Sequence, residues 1–119
     1  MEKEQSISLL LARAIRGDEE AATALKEIKP SLDLSAMDKL FSLNLSSMNL
    51  TSLPLEVGRL GHLRSLNLCR TPLTHFPVEI CKLRNLRTLD LWGTKLTELP
   101  PEISQLKQLK NLYLSETPV

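Results

Sequence analysis

The sequence predicts an α/β fold: a right-handed solenoid whose short parallel strands line a concave sheet, preceded by an N-terminal helical cap. Three observations lead there. One 23-residue unit recurs without a gap from Leu40 to Val119. The same apolar positions return in every unit. The residues before Leu40 carry helical spacing instead, so the chain divides into a cap over 1–39 and repeats over 40–119, three full and one partial.

The cap comes first. Ile7, Leu10, Leu11, Ala14 and Ile15 lie close to helical spacing, which predicts a helix from Ser6 to Arg16. Gly17 stops it, and Asp18 caps a second helix over Glu19 to Lys29. Ala21, Ala24, Leu25 and Ile28 form the apolar stripe of that helix, and Pro30 ends it. Ser31 to Met37 (SLDLSAM) echoes Ser42 to Met48 (SLNLSSM). The echo is either a degenerate first strand at 31–34 or a coincidence, since only 11 residues separate the two copies.

The repeats are Leu40 to His62, Leu63 to Asn85, Leu86 to Gln108, and a fourth that begins at Leu109. Leucine holds positions 1, 4 and 6 in all four. Positions 4 and 6 flank one outward residue, the period-2 pattern of a short strand. The rest of each unit must return the chain so that the next strand lies parallel, about 4.8 Å away. Apolar residues at positions 11, 14, 18 and 21 point inward along that return. No single turn can bury this stripe; stacking makes one continuous aliphatic core. Pro54, Pro77 and Pro100 suit the start of a short helical turn, with Glu56, Glu79 and Glu102 just inside it. Gly58 and Gly61 make that turn weakest in the first repeat.

The pattern LxxLxLxxxxLTxLPxEIxxL over residues 40–119 resembles the leucine-rich repeat family, in particular the 23-residue LP-type repeats of intracellular Ras-group scaffolds and of many bacterial proteins. The resemblance implies a curved solenoid with its parallel strands on the concave side. The family usually places Asn at position 9, where it bonds the backbone between turns. Here position 9 is Met48, Thr71, Thr94 and Thr117, so that ladder is absent and lower stability than a standard array is expected. A two-helix cap ahead of repeats is also similar to the layout of secreted bacterial leucine-rich-repeat effectors. Their repeats are commonly shorter, and some carry a separate ubiquitin-ligase domain that is not seen here.

Register assigns faces. Positions 2, 3, 5, 7 and 8 are expected to point from the strands into the concave surface. The only Trp and the only Tyr, Trp92 and Tyr113, then lie on adjacent strands of one face. Trp, Tyr and Arg are the types most enriched in interface hot spots. A patch of Arg70, Arg87, Asp90, Trp92 and Tyr113 is therefore the candidate partner-binding site. The competing reading is that the aromatics pack over the strands or cover the last one. Arg64, Arg87 and Lys110 stand at position 2 as a column of like charges. Such a column either meets an acidic partner segment or is a solvated edge.

Composition narrows the classes. The 119 residues hold 15 basic and 14 acidic side chains, a net charge of +1, which argues against nucleic-acid binding through bulk charge. Hydrophobic residues make up 42% and charged residues 24%, an ordinary folded domain, while 3% aromatics leave the core to aliphatic side chains. The longest apolar run, Ile7 to Ala12, contains Ser8, ends at Arg13 and is too short for membrane insertion. Two cysteines are too few for a disulfide framework and fit a reducing, cytoplasmic setting, or a host cytoplasm if the chain is delivered there. Cys69, His75 and Cys81 are evenly spaced, but at repeat positions 7, 13 and 19 they face different sides. They cannot converge as metal ligands, a disulfide or a Cys–His pair. His62 and His75 sit at turn positions where solvation is expected. No motif for catalysis appears, so no enzyme activity, cofactor or metal is expected.

The expected function is a module that binds another protein through its concave face, as a bacterial effector or an adaptor. The alternative is a self-assembling scaffold fragment of a larger signalling protein, a homodimer formed through the strand at Leu112 to Leu114, which would be an open edge. Thr117-Pro118-Val119 has the form of a C-terminal peptide ligand for strand-addition domains. Thr71-Pro72-Leu73 occupies the same repeat positions, so Val119 reads more simply as the next core residue.

Overall fold

Two short helices near the N-terminus pack their aliphatic stripes against each other. The structure, a computed structural model, describes residues 7–30, 32 and 39–119. Helix α1 spans Ile7–Ile15 and helix α2 spans Glu19–Ile28. Leu11 and Leu25 pack between them with no exposed surface. Gly17 joins the helices at φ +105°, a left-handed conformation in which a side chain would be strained. Asp18 is the N-cap of α2, its Oδ1 accepting from the Glu20 and Ala21 amides at 3.0 and 3.2 Å. The degenerate strand expected at 31–34 lies largely outside the described residues.

Asp18 also bonds back to α1. Its Oδ2 lies 2.8 Å from Arg13 Nε and 2.7 Å from one terminal guanidinium nitrogen. That pairing, and then the Ala21 amide, lower the carboxyl below its ordinary value of 3.8. A depressed folded-state value stabilises the fold above the ordinary value, and the contribution disappears as pH falls through the depressed one. Asp18→Asn keeps a cap acceptor but removes the charge. We expect the variant to be less stable than wild type in denaturant titrations at pH 6, with the gap closing as the titrations are repeated at pH 4 and pH 3. An unchanged gap at pH 3 would mean the charge is irrelevant.

Four three-residue strands follow: β1 Ser42–Asn44, β2 Ser65–Asn67, β3 Thr88–Asp90 and β4 Asn111–Tyr113. They pair in parallel in chain order, each residue with the one 23 positions on. The hydrogen-bonded ladder runs beyond the strands. The carbonyls of Phe41, Arg64 and Arg87 each accept two amides from the next turn, at 2.7 and 3.0 Å. Further along, Ser47, Arg70 and Gly93 donate to Cys69, Trp92 and Ser115. The backbone is thus in register from position 2 to position 8 of each turn.

The return path is as expected. Pro54, Pro77 and Pro100 precede short 3₁₀ turns over Leu55–Arg59, Val78–Lys82 and Pro101–Gln105. Their locked φ values, −72°, −73° and −76°, lead the chain in. Gly58 lies where neighbouring turns approach closely: a Cβ there would meet Lys82 Cδ at 3.3 Å. The leucines at positions 4 and 6 are buried in the first three repeats, and with the leucines, valine and isoleucine of the return path they form one core. In the fourth, Leu112 and Leu114 are only partly buried and Val119 is exposed. The helices cover the opposite end. Lys29 Nζ donates to the Ser46 carbonyl at 3.1 Å, and Arg16 lies 3.7 Å from Glu56.

Position 9 works differently from the family's asparagine. Thr71, Thr94 and Thr117 donate their hydroxyls to the carbonyls of Leu68, Leu91 and Leu114, three residues back within the same turn, at 2.8, 2.9 and 2.6 Å. The buried hydroxyls are satisfied, but they tie no turn to the next. An inter-turn side-chain bond occurs elsewhere, from Asn85 Nδ2 to the Gly61 carbonyl at 2.8 Å.

Candidate partner-binding surface

Three features fix the side chains at the C-terminal ends of the strands. First, position 5 carries Asn44, Asn67 and Asp90, and each side-chain oxygen accepts the amide two residues on, at 2.9, 2.9 and 3.0 Å. These Asx turns bend the chain out of the strand. Second, position 8 is left-handed in all four repeats, with Ser47, Arg70 and Glu116 at φ 62°, 61° and 61° and Gly93 at 75°. Third, the Arg70 guanidinium sits 4.8 Å from the centre of the Trp92 ring. Gly93 packs beside that stack: a Cβ there would touch Arg70 Cγ at 3.4 Å, and its φ of +75° is what favours glycine.

Asp90, Trp92 and Arg70 are therefore one assembly. Asp90 Oδ1 is occupied by the Trp92 amide, so its first duty is to shape the turn. Trp92 is half-buried under Arg70 rather than projecting freely. Tyr113 pairs in register with Asp90 and is 49% exposed, the most open ring beside the stack.

The position-2 residues form a separate row. Arg64, Arg87 and Lys110 are all exposed and immediately precede β2, β3 and β4. A three-residue strand and the Asx turn after it separate them from the Trp92 level. Arg64 lies 4.7 Å over the Phe41 ring, and His62 meets that ring edge-on at 6.5 Å. The sequence reading missed this Phe41–Arg64–His62 group. Phe41 shares position 2 with the cations, and that shared register was the available signal.

The cysteines do not converge. Cys69 is half-buried on the strand side, while Cys81 is 2% exposed within a 3₁₀ turn. Burial, reinforced by Glu102 and Glu79, pushes the Cys81 thiol up from its ordinary value. We expect one thiol, Cys69, to react promptly with a disulfide reagent in the native protein. Cys81 should react only on unfolding; prompt labelling of two thiols at pH 8 would contradict its burial. Among the described residues no three His, Cys, Asp or Glu side chains group as a metal site.

Short parallel strands recur in register along the chain, and residues 23–119 match a family described as a leucine-rich repeat region. The chain belongs to the leucine-rich repeat family. Among solved structures, a leucine-rich repeat protein of Leptospira interrogans is 43% identical, with a TM-score of 0.66 over 68% of this chain and 21% of that one. The plant peptide hormone receptor RGFR1, solved in complex with RGF2, is 37% identical, with a TM-score of 0.54 over 67% of this chain and 14% of the receptor. The chain thus spans about a fifth and a seventh of these two leucine-rich repeat proteins. No curated protein matches its sequence significantly. Among the described residues no helix is long and apolar enough to cross a membrane.

Proposed function

We propose that this leucine-rich repeat chain binds another polypeptide through its concave face, with Trp92, Arg70 and Tyr113 as the centre of contact. The observation that carries the reading is the Arg70–Trp92 stack beside the half-exposed Tyr113 ring. Stacking holds the guanidinium in one orientation before a partner arrives, which lowers the ordering entropy that binding must overcome. Arg, Trp and Tyr brought together are the residue types of interface hot spots. That a family relative, RGFR1, is solved with a bound partner supports a polypeptide ligand. The reading includes an adaptor role without catalysis; the Leptospira relative favours a bacterial setting for it.

Trp92 is the single tryptophan, so its fluorescence reports on this face alone. Peptides selected from a displayed library against the whole chain should shift that fluorescence. They should lose affinity for Trp92→Ala and Tyr113→Ala, with circular dichroism unchanged. Selected peptides that leave the fluorescence and both variants untouched would place binding elsewhere. A homodimer through β4 is a second reading, favoured by Leu112, Leu114 and Val119 at that edge. Light scattering across a concentration series distinguishes it: a dimer supports it and a monomer at all concentrations refutes it.

A further inference from the structure

One lateral edge of the solenoid is uniformly basic. Between the 3₁₀ turns and the strands, residues 60–65, 83–88 and 106–111 hold five basic side chains, Arg64, Arg84, Arg87, Lys107 and Lys110, and no acidic one. All five are exposed, and none forms an ion pair among the described residues. The rest of each return path is mixed: residues 49–59, 72–82 and 95–105 hold Glu56, Glu79, Glu98 and Glu102 against Arg59, Lys82 and Lys95. A net charge of +1 hides this local excess.

The basic edge is organised by the backbone. The doubled hydrogen bonds to the carbonyls of Phe41, Arg64 and Arg87 fix Arg64, Arg87 and Lys110 in register, one per strand. Like charges at strand spacing repel one another, and among the described residues no ion pair offsets them. The Arg64 guanidinium is held over Phe41, which leaves its N–H edges for an acceptor.

We propose that this edge receives an acidic polypeptide segment, extended across β2, β3 and β4, whose carboxylates pair with Arg64, Arg87 and Lys110. The proposal rests on the concave-face reading and adds the chemistry of the partner. Three strands span about 10 Å, the length of about three residues of extended chain, so alternate and adjacent carboxylates both fall within reach of these long side chains. A single-stranded nucleic acid fits less well. It stacks successive bases on aromatic faces, and an arginine already lies over one face of each of the Phe41 and Trp92 rings, which leaves the half-exposed Tyr113 ring on the last strand.

The test uses the whole chain and a fluorescein-labelled peptide of six Glu-Ser dipeptides, followed by anisotropy. A Lys-Ser peptide, a dT oligonucleotide and phosphatidylserine vesicles are run in parallel. We expect the Glu-Ser peptide to bind and the Lys-Ser peptide not to. The triple variant R64Q/R87Q/K110Q should weaken binding about ten-fold, and raising salt from 50 to 500 mM should weaken it further. Lys95→Gln, on the opposite edge, should change nothing. No binding of the acidic peptide, equal binding by the triple variant, or tighter binding of the oligonucleotide or vesicles would each overturn the proposal. Failure here is separable from failure of the concave-face reading. Library peptides that need Trp92 but lack acidic residues and ignore the triple variant would sink this proposal and leave that reading standing.

Discussion

Leu89→Ala should be among the most damaging single truncations in the chain. Leu89 is fully buried at the centre of β3, with Leu66 and Leu112 in register on either side. Its removal leaves a cavity in a core one side chain deep, and the strands cannot close over it without breaking the ladder. The expected loss is about 2–5 kcal/mol, a large share of the stability of a domain this small. Equilibrium unfolding in urea reads it as a lower midpoint at unchanged slope. Leu112→Ala provides the internal comparison. That leucine has the same repeat position but is only half-buried, so its loss should be clearly smaller. Equal losses would mean that the fourth turn is as well packed as the third.

Gly93→Val should follow. Gly93 holds φ +75°, where a β-branched residue is strained; a Cβ there would already touch Arg70 Cγ at 3.4 Å, so the two γ-methyls of valine would crowd the Arg70 side chain. The backbone strain alone is worth about 1–3 kcal/mol. The variant also carries a second signature. Displacing Arg70 uncovers Trp92, so the tryptophan emission should shift towards that of a solvated indole even in the folded protein. Ser47→Gly tests the backbone part in the opposite direction. It relieves the same conformation at an exposed position with no stack to disturb, and should stabilise by a few tenths of a kcal/mol to about 1 kcal/mol. A stable Gly93→Val with unchanged emission would show that neither the left-handed backbone nor the stack matters.

The scaffold was legible because its causes are periodic. Leu43, Leu66, Leu89 and Leu112 return every 23 residues, and that spacing alone fixes the parallel register. The cap was legible for a local reason: Gly17 and Asp18 carry stop and start signals on adjacent residues. What escaped was the role of residues read as outward. Asn44, Asn67 and Asp90 do point away from the core, but their oxygens first serve the amides two residues on. An alternating pattern reports which face a side chain occupies and says nothing of which neighbour it bonds. The seven candidate residues also divide into two rows, because position 2 and positions 5 to 8 lie at opposite ends of a strand. Arg70 over Trp92 depends on two dihedral choices and a glycine one turn on, which no linear spacing encodes.

The threonines at position 9 set how the molecule should come apart. Because Thr71, Thr94 and Thr117 bond within their own turns, cohesion between turns rests mainly on the strand ladder and on leucine contacts, with the Asn85–Gly61 bond and the arginine–aromatic stacks beside them. Each turn holds only its neighbours, so the chain behaves as a short row of coupled units rather than one indivisible block. The α1–α2 pair anchors one end of that row, while the leucines of the fourth turn are half-open. Amide exchange should therefore form a gradient: fastest around β4, slower at β3, slowest at β1 and β2 beside the helices. Opening of the last turn would release Tyr113 and the Leu91 and Gly93 ladder bonds while the rest of the row stays closed. A partner that bridges β3 and β4 would then read out as slowed exchange at those amides, a measure of binding that needs no label.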